Sequence, residues 1–156
     1  MDNKTSFPIK SSYDYLLPSK IEKIGFNDSI EITSPKFVEV HHYKRTFETK
    51  IPYKACIVKL NIPFSGLKAE SKRARILLCL DDTVICDGSI HSPNCWILTP
   101  LFLQGEMCDL KPGKHTVTLK CCVDGGTLHI PHYRKDLIEA TLDPPIQATL
   151  IVVGIN

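Results

Sequence analysis

From Ala55 to Phe64 the sequence reads ACIVKLNIPF, and Cys56, Val58, Leu60, Ile62 and Phe64 fall on every second position. Lys59, Asn61 and Pro63 lie between them, with Ile57 the one apolar exception. Side chains alternate from face to face along a strand but return only about every 3.6 residues around a helix. A period of two therefore suits a strand with one buried face and excludes an amphipathic helix. It places Cys56 indoors. In HTVTLKCC, Val117, Leu119 and Cys121 alternate with Thr116, Thr118, Lys120 and Cys122. Cys121 is expected inside, and Cys122 outside or against a neighbouring subunit. ARILLCL and IQATLIVVGI are apolar on both faces, which predicts central strands, with Ile146, Ala148, Leu150 and Val152 sharing one side.

The breaks between these runs carry turn chemistry. Asp81-Asp82, Asp87-Gly88, Pro112-Gly113 and Asp124-Gly125-Gly126 are each expected to turn the chain. The last should be a hairpin returning through TLHI. SGLKAESKR reads as a polar connection. Pro100, inside WILTPLFLQGEMCDL, argues for a bulge or a sheet edge. KFVEVHHY reads as a strand of unclear orientation, since both alternating sets mix apolar and polar residues. Several short strands with turns at intervals of about ten residues, and no heptad or repeat, predict an all-β antiparallel sandwich.

The chain has 156 residues, which suits one core: a sandwich over 27–156 preceded by an extended arm over 1–26. The arm carries Phe7, Ile9, Tyr13, Tyr15, Leu16 and Leu17, too apolar for a solvated tail and expected to form an interface with a neighbouring chain. The net charge of +2 gives no basic surface for nucleic acid. No apolar run has the length needed for membrane insertion. The N-terminus lacks the basic and apolar regions of a secretory signal, so an intracellular location is expected, cytoplasmic or within an organelle or cytoskeletal assembly. Seven cysteines (Cys56, Cys79, Cys86, Cys95, Cys108, Cys121 and Cys122) match no disulfide or zinc framework and are expected as reduced core filler.

LKPGKHTV places Leu110, Gly113, His115, Thr116 and Val117 in a pattern that resembles the jelly roll of the tumour-necrosis-factor and complement globular-head superfamily. ARILLCLDDTVICDG before it and ATLIVVGI after it extend the resemblance over about residues 55–155. The resemblance implies a jelly-roll sandwich, commonly trimeric, with a binding role.

No nucleophile elbow, phosphate loop, HExxH or dinucleotide fingerprint appears, so neither an enzyme nor a cofactor is expected. His91 and Cys95, with Cys86 and Cys108 nearby, lack a standard zinc spacing, and no metal is expected. Asp81, Asp82 and Asp87 are explained by turns before calcium. One loop invites a ligand: Asp87, His91 and Asn94 precede Trp96, whose ring would suit sugar stacking if exposed and core packing if buried. The expectation is a non-enzymatic jelly-roll domain for protein–protein contact, as a homotrimer or in a hetero-assembly. A lectin-like carbohydrate-binding module is the alternative.

Overall fold

The computed structural model describes residues 22–24, 30–68, 72–92, 96–130 and 148–155. Eleven strands are present among them: β1 (Glu22–Ile24), β2 (Ile30–Ile32), β3 (Val38–Glu39), β4 (Arg45–Thr49), β5 (Tyr53–Lys68), β6 (Lys72–Leu80), β7 (Thr83–Ser92), β8 (Trp96–Leu110), β9 (Gly113–Val123), β10 (Thr127–Ile130) and β11 (Ala148–Ile155). They form two antiparallel sheets packed as a β-sandwich.

Sheet A is built on β5. β8 runs along one edge of it, from Tyr53↔Leu110 to Lys68↔Trp96. The other edge is shared by β11, paired with residues 55–61, and β10, paired with residues 66–68. β1 extends the sheet beyond β11, and β2 beyond β10. β1 lies upstream of residue 27, so the sandwich takes in three residues expected in the arm. Phe7, Ile9, Tyr13, Tyr15, Leu16 and Leu17 lie outside the described residues. In sheet B, β6 sits between β7 and β9, and β3 and β4 share the far edge of β9.

The alternation read in the sequence is the packing. Cys56, Val58, Leu60 and Ile62 of β5, with Leu150 and Val152 of β11, are buried against Ile76, Leu78 and Leu80 of β6 and Val117, Leu119 and Cys121 of β9. β11 is mid-sheet and β8 is at a sheet edge, as its Pro100 implied.

Four local expectations differ from the structure. SGLK is strand rather than connection: a register shift between Ile62 and Ser65 changes the phase, and Ser65 and Leu67 then point inward. KFVEVHHY gives only the short β3, followed by a 3₁₀ turn at His41–Tyr43 that buries Val40 and Tyr43 together. Asp124-Gly125-Gly126 does turn, with φ of +80° and +79° at the glycines, but no hairpin forms. β10 leaves sheet B and pairs with β5 and β2 of sheet A.

The fourth is Asp87-Gly88, which lies inside β7 and does not turn. Gly88 serves a close approach instead. A Cβ there would lie 3.0 Å from Leu103 Cδ2, and a Cβ on Gly105 would collide with the backbone of Ile85. These two glycines let β7 of one sheet and β8 of the other close the side of the sandwich.

Asp81-Asp82 is the turn expected, a two-residue loop with φ of +49° and +64°. Asp81 is held there by β9: its N–H donates to Thr116 O (2.9 Å), and its Oδ1 accepts from Thr116 N–H (2.8 Å). Its Oδ2 lies 2.6 Å from His115 Nδ1, and His115 Nε2 lies 2.7 Å from the Lys111 carbonyl oxygen. This gives LKPGKHTV a physical meaning. Leu110 and Val117 are core, and buried His115 ties the loop before β9 to the β6–β7 turn.

The paired cysteines separate as alternation requires. Cys121 is fully buried and Cys122 is half-buried. Burial, then the neighbouring Cys122, pushes the Cys121 thiol well above its ordinary value; burial pushes Cys56 up to about 12. Peptide mapping after mild alkylation of the native protein should find Cys122 modified while Cys121 stays intact until unfolding. Cys121→Ser should cost about 1–3 kcal/mol, by burying a hydroxyl where a thiol was. Cys122→Ser should stay within about 0.5 kcal/mol. Equal labelling rates in the folded state would contradict the strand.

Candidate functional site

Among the described residues, polar side chains converge on the outer face of sheet B. Ala74, Ile76 and Leu78 of β6 point into the core, so Arg73, Arg75 and Leu77 point out. Register sets their neighbours: Arg73 lies opposite His91 of β7, and Arg75 lies between Ser89 of β7 and Cys122 of β9. Pro35, Arg73, Arg75, His91, Cys122 and Asp124 line a depression of about 390 Å³.

Arg75 is fixed in place. Its Nη2 donates to Asp87 Oδ2 at 2.6 Å, and its guanidinium lies over the Phe37 ring, 5.3 Å from the centroid. A planar guanidinium suits both a carboxylate fork and an aromatic face. The bond to Asp87 raises the Arg75 pKa further above its ordinary range. Arg73 makes no ion pair among the described residues, which leaves one fixed and one open guanidinium in the same depression.

A second depression, of about 440 Å³, lies between β8 and the edge of β7 away from β6. Ser89 and His91 line it from β7, and Thr99 and Phe102 from β8, with the buried Leu101 and Leu103 also at its surface. Phe102 is 71% exposed, the most exposed large apolar side chain among the described residues. His91 belongs to both depressions.

Three residues singled out in the sequence for different reasons thus meet. Asp87 and His91 from the expected ligand loop share this face with Cys122 from the expected interface. Asn94 lies outside the described residues, and Trp96 is placed by its backbone alone, at the start of β8. Arg73, Arg75, Phe37 and Phe102 were not anticipated. Arg73 and Arg75 alternate with Ala74 and Ile76, which was the available signal for an outward cationic row.

Among the described residues of this face, Cys122 and His91 do not form a nucleophile–base pair. Cys122 is on β9 and His91 on β7, with β6 between them, so their backbones are two strand spacings or about 10 Å apart. A nucleophile and its base need hydrogen-bond contact. Among the described residues, no three His, Cys, Asp or Glu side chains converge as metal ligands. Cys95 lies outside them.

No protein-family model matches the chain, and no curated protein does. Solved structures that align with it include the C-terminal domain of EclA, titled a sugar-binding protein, at 13% identity and a TM-score of 0.42, covering 88% of this chain and 81% of that one. A carbohydrate-binding module of Cellvibrio mixtus lichenase 5A, in complex with cellotriose, aligns at 10% identity and a TM-score of 0.32, covering 89% and 92%. TmCBM61, in complex with β-1,4-galactotriose, aligns at 10% identity and a TM-score of 0.28, covering 79% and 69%. None of these three is a tumour-necrosis-factor or complement head. The sandwich itself rests on the strand order described above.

Proposed function

We propose that this chain is a non-catalytic carbohydrate-binding domain whose ligand lies on the outer face of sheet B. The observation that carries the reading is Arg75, held on Phe37 by Asp87 and facing a depression shared with Arg73 and His91. Sugar hydroxyls donate and accept at once, and adjacent pairs of them match a guanidinium fork or a carboxylate. The depression supplies both kinds of group: donors on Arg73 and Arg75, and acceptors on Asp124 and the neighbouring Asp87. Asp87 pairs with Arg75 and Asp124 balances Arg73, so the face calls for no net ligand charge, and a neutral sugar fits it. A few placed polar groups in a concave site are what orient such a ligand.

A glycan array probed with the folded chain tests this. At least one neutral glycan should bind, and Arg75→Ala should weaken it about tenfold or more, as loss of a charge-assisted hydrogen bond does. An array without hits, or binding untouched by Arg75→Ala, overturns the proposal.

A second reading, protein–protein contact in a homotrimer or hetero-assembly, is favoured by β8. This strand is 15 residues long and, among the described residues, pairs only with β5. A free strand edge is a template for pairing with another chain. Native mass on the array sample distinguishes the two: a lone 17.5 kDa species that binds sugar supports the first reading.

A further inference from the structure

We infer that the ligand is an extended oligosaccharide, which continues past His91 into the depression between β7 and β8 and stacks there on Phe102. This rests on the carbohydrate reading above and adds the length and path of the ligand. His91 lines both depressions, so a chain seated against Arg75 and leaving over the β7 edge enters the second without crossing another described strand. The second depression has what a further sugar unit needs. Phe102, which is 71% exposed, lines it together with the polar Ser89, His91 and Thr99. A pyranose presents apolar C–H groups on its faces and hydroxyls at its rim, matching a depression lined by an aromatic ring and polar side chains. Phe102 is also free of a core role: its neighbours Leu101 and Leu103 point inward while it points out.

The path makes affinity depend on ligand length. Calorimetric titration would use cello-oligosaccharides and β-1,4-galacto-oligosaccharides, each as monosaccharide, disaccharide, trisaccharide and hexasaccharide, against the intact chain and Phe102→Ala. Affinity should rise with length in at least one series. Phe102→Ala should remove about two- to tenfold from the long members, the range expected for an aromatic contact, and leave the shortest unchanged. His91→Ala should weaken the long members more than the short.

Binding that is independent of length, or lowered equally at every length by Phe102→Ala, overturns this inference and leaves the sheet-B site standing. A Phe102→Ala variant that changes native mass but not sugar affinity assigns the ring to protein contact and also overturns it. If no sugar binds in either series or on the array, the carbohydrate reading falls and this inference with it.

Discussion

Gly105→Ala should lower stability by about 3 kcal/mol, near the upper end of ordinary overpacking costs. The added Cβ meets the backbone carbonyl of Ile85, and backbone cannot swing aside as a side-chain tip can. The strain falls where β7 and β8 close the side of the sandwich, so relief requires the two sheets to part over buried Leu103. Gly88→Ala is the control. Its Cβ would press only on the Leu103 Cδ2 methyl, at 3.0 Å, and a small rotation of that side chain accommodates it. Urea midpoints should therefore fall much further for Gly105→Ala than for Gly88→Ala. Equal midpoints would mean that the sheets are not pressed together at this edge.

The comparison of Leu60→Ala with Lys59→Ala has the second large effect. Leu60 is 1% exposed in the middle of β5, and removing its side chain should cost about 2–5 kcal/mol from lost burial plus the cavity left behind. Lys59 is exposed on the opposite face, and its truncation should stay within about 0.5 kcal/mol. Chemical denaturation of both variants checks the ratio. Similar losses would require β5 to be covered on both faces.

The strands were legible wherever one face is buried and the other wet, because alternation then writes the fold into the residue order. β5 reads clearly up to Ile62. It was lost beyond because the bulge shifts the phase, so Ser65 and Leu67 turn inward where an unshifted count puts Phe64. Asp87-Gly88 was misread for a different reason. A glycine that frees φ and one that admits a neighbour look alike in one sequence, and only the approach of Leu103 separates them. The turn after β9 was visible in Asp124-Gly125-Gly126. Local residues do not encode which sheet the next strand joins.

The candidate site was legible as ingredients but not as a place. Asp87 and His91 were noted in one candidate loop, and Cys122 separately as an interface residue. They share a face because β6 lies between β7 and β9, which is set by long-range pairing. Arg73 was read as the end of a polar connection, and Arg75 was hidden in a run read as apolar on both sides. Phe102 could not be told from a core aromatic until the side of β8 it occupies was known.

The pairing of β5 also fixes an order of assembly. Cys56 lies beside Met107 on one edge and Gly154 on the other, both distant in sequence. As the chain is synthesised, β8 becomes available to β5 well before β11 does. Until β11 is made, the edge of β5 from Ala55 to Asn61 is bare, with Val58 and Leu60 at its inner margin. An uncovered strand edge bordering apolar surface is where a nascent chain joins the wrong partner. The hazard in making this protein is therefore concentrated in the interval between its fifth and its eleventh strand, and docking of ATLIVVGI ends it.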